Sequence, residues 1–578
     1  MDGRTHHRFE PVISEFDCNV LIVLLFDYLW EVSYLRQRRA LNSASVFDLS
    51  LRAYHIIPSL THSHLPKAHL NNHQHRIPHN YPRGSQIPLS QSQSPLRQKP
   101  ARHPDRSAFA PRSIYGIQPD TMENVDPADL YRQGPPTFGH ELLKYFALDP
   151  EYINLNHGTH SPLHPSLPNQ PCKRGDSHKR HTAPMVLTGS FGSSPYVVHK
   201  VANDLNLKLE SNPDRFLRLE YLHYLTDVRE KLAKMVNAKR DEIVLVPNAS
   251  VGINTVLRNF EWEEGDVIVY FNTSYKSIYQ TAHNLADIHP HPTLSELTLL
   301  FPTTPSSIIS SFRAHIQSLP KKQGKKRVAI IDSIISNPGA YIPWQELVKI
   351  CREEGVWSVV DAAHSIGQEQ DIDLSEVMPD FWTSNCHKWL HAKRAVAMLY
   401  IPERNRDIIK TSHPTSHAYK PVEQRTLQDF LAQWEWNGTM DWIPFLIVGA
   451  ALDFRKWIGG EAKIYEYCHS LALEGGRRMA EVFGTRVMDP NGEFTLNMVN
   501  VELPFPGSIP ESAKVDMLFK KKMLLERNAY SAHFYHNGKW WTRCSAQVYN
   551  EISDFEKIAR IWIEVCDEVR REVEKDNN

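Results

Sequence analysis

Three short stretches of this sequence carry residues whose types and spacing could do chemistry. The first is Ser384-Asn385-Cys386-His387-Lys388-Trp389, which follows the apolar run DFWTS. A lysine beside an aromatic residue, at the mouth of an apolar sheet, loses hydration. Its amine then tends to be neutral and can form an imine with a carbonyl. The second is Asp361, which closes the run WSVVD and opens Asp-Ala-Ala-His364. A carboxylate at a strand end can hold a heteroaromatic ring nitrogen protonated, so that the ring acts as an electron sink. The third is Asn248-Ala249-Ser250-Val251-Gly252, after the run EIVLV. Where a strand turns into a helix, free backbone N–H groups, a hydroxyl and the positive end of the helix dipole make an anion site. Each piece alone has a plainer explanation. Lysines snorkel at surfaces, Asp and Asn cap helices, and Asn-x-Ser is a glycosylation sequon in secreted chains. The combination is more specific. An anion-binding turn, then Asp-x-x-His, then His-Lys, each after a strand, is the layout of a site for pyridoxal 5'-phosphate (PLP) carried on Lys388.

The elements that must position these residues are legible in the patterning. Short apolar runs at 242–246, 266–271, 327–335, 357–362, 380–384 and 395–401 alternate with helical patterns at 251–260, 277–287 and 344–354. Runs this short between amphipathic helices predict an α/β fold: a large, mainly parallel sheet with helices on both faces. Catalytic groups in such sheets lie at the carboxyl ends of the strands. After about Trp442 the pattern changes to a long helix followed by strands and helices, which predicts a smaller α+β C-terminal domain. The expected division is a low-complexity extension over 1–121, a large PLP-binding domain over 122–440 and a small domain over 441–578.

The chain has 578 residues and a net charge of −1, which gives no global attraction to nucleic acid or to an anionic membrane. Its seven cysteines are scattered without a CxxC pair, which suits a reduced cytoplasmic protein and gives no metal or disulfide framework. The longest apolar run, 20–30, is interrupted by Asp27 and is too short to span a bilayer. Residues 42–112 are rich in His, Pro, Ser and Gln, a composition that reads as a polar tail rather than a metal site.

Over roughly 138–557 the sequence resembles the class V aminotransferases, fold-type-I PLP enzymes that include cysteine desulfurases, isopenicillin N epimerases and the fungal hercynylcysteine sulfoxide lyases of ergothioneine biosynthesis. The resemblance rests on GHELLKYFALDP, INLNHG, SFGSSP, VPNASVGINTVLRNF, SNCHKWL, PTSHAY and RCSAQVYNEISDFE. It implies that Lys388 carries the cofactor and moves the substrate Cα proton. It further implies that Asp361 pairs with the ring nitrogen, that His364 and Ser336 lie near the ring hydroxyl, and that Tyr275 stacks on the ring. Ala249, Ser250, Asn385 and His387 would hold the phosphate, with Gly438 and Thr439 reaching the phosphate of a neighbouring subunit in a homodimer. Arg543 would clamp the substrate carboxylate, and Asn156 and His157 would border the entrance.

Residues 159–189 depart from the family pattern. Deleting them joins NLNHG to SFGSSP, which suggests a retained intron, and Met122 opens a segment that reads like a family N-terminus. Ala392-Lys393-Arg394-Ala395 also stands where the family has a Pro- and Gly-containing turn. Among PLP reactions the resemblance favours carbon–sulfur cleavage by β-elimination on a cysteine conjugate or sulfoxide. Epimerisation and desulfuration remain alternatives. A different class of outcome is an inactive PLP-fold protein, should the insert disable the site. Desulfuration needs a mobile nucleophilic cysteine, whereas Cys544 sits in a strand-like run and Cys386 should point away from the cofactor.

Overall fold

The computed structural model describes residues 125–156 and 192–577. These lie within one compact unit, Pro111–Asn578. The polar tail, the apolar run 20–30, His157 and the 159–189 insert fall outside the described residues. Among the described residues no helix is long and apolar enough to cross a membrane.

A seven-stranded sheet organises the chain. Its strands are β2 (Ile243–Val246), β3 (Val267–Phe271), β4 (Thr293–Leu297), β5 (Arg327–Asp332), β8 (Trp357–Asp361), β9 (Phe381–Asn385) and β10 (Ala397–Tyr400). Their order is β2-β10-β9-β8-β5-β3-β4, parallel except for β10, which runs antiparallel to both neighbours. Helices α1 (Tyr196–Ser211), α2 (Tyr221–Met235), α3 (Ala249–Asn259), α4 (Lys276–Asp287), α5 (Pro305–Ser318) and α6 (Trp344–Glu354) flank it. Alternation along the strands explains the two layers. Val267, Val269 and Phe271 enter one core with α2, α5 and α6, whereas Ile268 and Tyr270 enter the other with α3 and α4. Both faces are covered, so the strands read as unbroken apolar runs.

The structure departs from the sequence expectation at one boundary and in elements that the patterning did not mark. The run 327–335 is not one strand. β5 stops at Asp332, Ser333 donates its N–H to Asp361 O at 3.0 Å, and β6 (Ile334–Ile335) then pairs with β7 (Ala340–Tyr341) as a separate hairpin. β4 and α5 were not anticipated. β4 is an edge strand of sequence TLSEL with no fully buried residue, so its hydrophobic signal is weak.

The C-terminal part contains α7 (Val448–Trp457), α8 (Glu461–Phe483), the antiparallel sheet β11-β14-β13 (Met498–Glu502, Lys539–Ser545 and Ala532–His536) and α9 (Ile552–Asn577). The early strand β1 (Ile153–Asn154) pairs in parallel with β12 (Ala529–Tyr530). This pairing ties the chain just before Asn156 to the C-terminal sheet, and Ser545 N–H donates to Leu155 O at 2.7 Å.

Candidate active site

The carboxyl ends of β2, β5, β8 and β9 open onto a cavity of about 360 Å³. β2, β8 and β9 each deliver residues singled out above. Asp361 is the last residue of β8 and Asn385 the last of β9, and the next turn brings His387 and Lys388. Asn248 follows β2 and caps α3, its Oδ1 accepting from Val251 N at 2.9 Å. Ala249, Ser250, Tyr275, Ser336, Asp361, His364, Asn385, His387 and Lys388 all line this one cavity. Asn385 Oδ1 accepts from Ala249 N–H at 2.9 Å, which joins the β9 turn to the first turn of α3.

Charge is concentrated on the cavity floor. Lys388 is buried, and desolvation lowers its amine to about 7, with Asp361 opposing and Arg543 reinforcing the shift. Burial raises the Asp361 carboxyl, while Lys388 pulls the other way. Its Oδ1 accepts from Ala363 N–H at 3.0 Å. Burial and the charge of Asp361 hold the phenol of Tyr275 up at about 12, so it is un-ionised at neutral pH.

Arg543 does not line the cavity itself. It lies on β14, fully buried beside the site, with Nη1 donating to Ser336 O at 2.7 Å and Nη2 to Asn156 Oδ1 at 3.1 Å. Its Nε–H has no partner, and no carboxylate pairs with it among the described residues. Burial pulls the guanidinium down to about 9, so it remains a cation at neutral pH. Gly339 makes room for it. A Cβ there would fall 2.6 Å from Arg543 Cδ, and Asn500 holds the glycine by bonding both its N–H and its C=O. Thr439 stands on the surface, away from the cavity. His157 lies outside the described residues.

Several cavity residues escaped the sequence reading. Asp332 is the register partner of Asp361 on β5, equally buried and also on the cavity wall. Burial and the charge of Asp361 push its carboxyl up to about 8, and its Oδ2 accepts from Ser274 Oγ at 2.9 Å. The signal was available: RVAIID ends on an acid as WSVVD does. Arg394, in the divergent turn, also lines the cavity and donates to Gly192 O at 3.0 Å. Ala395 beside it holds φ of 76°, a conformation that glycine adopts without strain.

The family model for Aminotransferase class-V matches residues 207–505, which span β2 to β11 and the whole cavity. The chain belongs to that family. The L-cysteine desulfhydrase-like protein lolT1 of Epichloe uncinata is 32% identical over 471 residues, covering 75% of this chain and 96% of the relative. The hercynylcysteine sulfoxide lyase of Schizosaccharomyces pombe is 30% identical over 433 residues, covering 74% and 98%. A solved cystine C–S lyase, in complex with its product cysteine persulfide, superposes with a TM-score of 0.54 at 18% identity, covering 64% of this chain and 94% of that one. That likeness shows the fold, fold type I.

Class-V aminotransferases use PLP, and the residues present suit it. A buried amine, a carboxylate at the neighbouring strand end and a helix N-terminus surround a space large enough for the ring and phosphate.

Proposed function

We propose that this protein is a PLP-dependent carbon–sulfur lyase that cleaves a cysteine conjugate or its sulfoxide by β-elimination. The observation that carries the reading is Arg543, a fully buried cation with an unused N–H and no carboxylate partner among the described residues, beside the buried amine of Lys388. An uncompensated buried guanidinium is costly, and an amino-acid carboxylate is the ligand that relieves it. The names of the relatives favour sulfur chemistry on the same scaffold.

Bound in the cavity, PLP supplies an electron sink for the pair left at Cα. Lys388 would carry it, Asp361 would hold the ring-nitrogen proton, and His364 and Ser336 would lie by the ring hydroxyl. Tyr275 would stack on the ring. Ser250 N–H, the Ser250 hydroxyl, His387 and the Ala249–Asn385 link would frame the phosphate. Arg543, beside Asn156, would orient the substrate carboxylate. Once the substrate amine has displaced it, Lys388 Nζ would be free to take the Cα proton; the Cβ–S bond would break with its electron pair on sulfur, and water would convert the three-carbon remainder to pyruvate and ammonia. The large domain is taken as 122–440 and the small one as 441–578. In a homodimer Thr439 would approach the partner's phosphate.

Desulfuration through a persulfide is disfavoured by the thiols. All five cysteines among the described residues are buried, and burial raises Cys386 and Cys544 to about 12. Cys544 alternates with Arg543 on β14 and enters the C-terminal core, 3.7 Å from Met479 Sδ.

The test is direct. Purified protein should be yellow, with an absorbance that borohydride abolishes and that Lys388→Ala lacks. It should release pyruvate from hercynylcysteine sulfoxide or another S-conjugate faster than from cysteine. Colourless protein, or an unchanged spectrum in Lys388→Ala, defeats the reading. Translated transcripts that all encode 159–189 would refute the retained intron.

A further inference from the structure

His364 lies between two nitrogen groups, and the chemistry of one dictates the state of the other. Trp389 Nε1 lies 3.2 Å from His364 Nδ1, and Lys388 Nζ lies 3.0 Å from His364 Nε2. All three residues are buried. An indole N–H can only donate. Nδ1 of His364 is therefore an acceptor and carries no proton. A neutral imidazole with a bare Nδ1 carries its proton on Nε2, directed at Lys388 Nζ. A hydrogen bond there needs a lone pair on the lysine nitrogen, which only the free amine has. An ammonium would meet the Nε2–H donor to donor.

We propose that Trp389 is a positioning residue: by donating to Nδ1 it fixes His364 as the Nε2–H tautomer, which makes His364 the donor and Lys388 the acceptor of the bond between them. The lysine is thereby presented as a free amine, the form that attacks an aldehyde, before the cofactor arrives. The main chain that carries the indole is anchored, because Arg455 Nη1 donates to Trp389 O at 2.7 Å.

Other groups bear on Lys388 as well. Asp361 at the end of β8 favours the ammonium, while Arg543 on β14 disfavours it. Asp332 on β5 and Tyr275 before α4 lie on the same cavity wall, both held un-ionised at neutral pH. Burial lowers the amine to about 7, where charge and neutrality are balanced, so one directed hydrogen bond decides which form dominates.

The inference rests on Lys388 being the cofactor lysine, and its test reads something else first. In the full chain stripped of cofactor and labelled with ¹⁵N-histidine, His364, assigned by its absence in His364→Gln, should show a protonated Nε2 and a bare Nδ1 at neutral pH. Trp389→Phe keeps an aromatic ring and removes the donor. His364 should then populate the Nδ1–H tautomer. The pH midpoint for PLP capture should rise by about one unit, slowing capture at pH 7 about fivefold. A wild-type His364 protonated on Nδ1 overturns the proposal, as does a Trp389→Phe protein with unchanged tautomer and midpoint. Should Trp389→Phe not fold, the wild-type spectrum decides alone. PLP capture by Lys388→Ala would instead defeat the cofactor-lysine reading and leave the tautomer result standing.

Discussion

Arg455 and Arg543 are both buried arginines, and they differ in what surrounds them. Arg455, on α7, spends its donors inside the protein. Nε and Nη2 reach the carboxylate of Glu461, Nη1 donates to Trp389 O, and Nη2 also donates to Gly367 O at 3.0 Å. Arg543, on β14, has two donors committed to Ser336 O and Asn156 Oδ1, and among the described residues its Nε–H has no partner and no carboxylate pairs with it. One cation staples the helix to the turn that carries Lys388. The other is held open by glycine and carbonyl contacts, at a cost that folding alone does not repay. Buried charge with a partner marks architecture, and buried charge without one marks a place for a ligand.

This contrast can be broken experimentally. Arg543→Gln should lower kcat/KM by a factor of about 10²–10³, since an oriented charge pair with the substrate is lost. Its melting temperature should hold or rise, because an uncompensated ion is removed. Steady-state kinetics with calorimetry would reverse the assignment if stability collapsed and activity survived. Arg455→Met should do the opposite, costing about 2–3 kcal/mol of stability in denaturant titrations, with the loss of activity following unfolding.

A smaller effect is expected for Asp332→Asn. The folded Asp332 carboxyl is raised to about 8, so its contribution to stability is fully present below about pH 4 and is lost as pH rises towards 8. The cofactor-free variant should therefore lose less stability than the wild type between those limits. Parallel melting curves against pH would exclude this. The smallest effect is expected for Cys544→Ala: about 1 kcal/mol of stability and pyruvate release within a factor of about two. A severe loss of turnover without unfolding would instead revive the persulfide route.

Much of the site could be read from the sequence because its chemistry sits in contiguous motifs at strand ends. SNCHKW, WSVVDAAH and PNASVG each bring their residues to the cavity through local structure, and the strand–helix alternation fixes which sheet edge they share. What was not legible depends on register between strands distant in sequence. Asp332 faces Asp361 only because β5 pairs with β8. The indole of Trp389 reaches His364 across 25 positions of sequence. Gly339 matters only once β14 has delivered the stem of Arg543. β4 went unread because an edge strand needs few buried residues. Thr439 is exposed and does not line the cavity of its own chain.

Gly192 carries a mechanical consequence. A Cβ at this position would collide with the carbonyl of His387, so the chain entering α1 lies backbone against backbone on the peptide that leads into Lys388. Arg394, from the far side of the same turn, bonds the Gly192 carbonyl. No compressible side chain separates the two segments. A displacement of the segment that enters α1 would therefore press directly on the peptide that leads into Lys388.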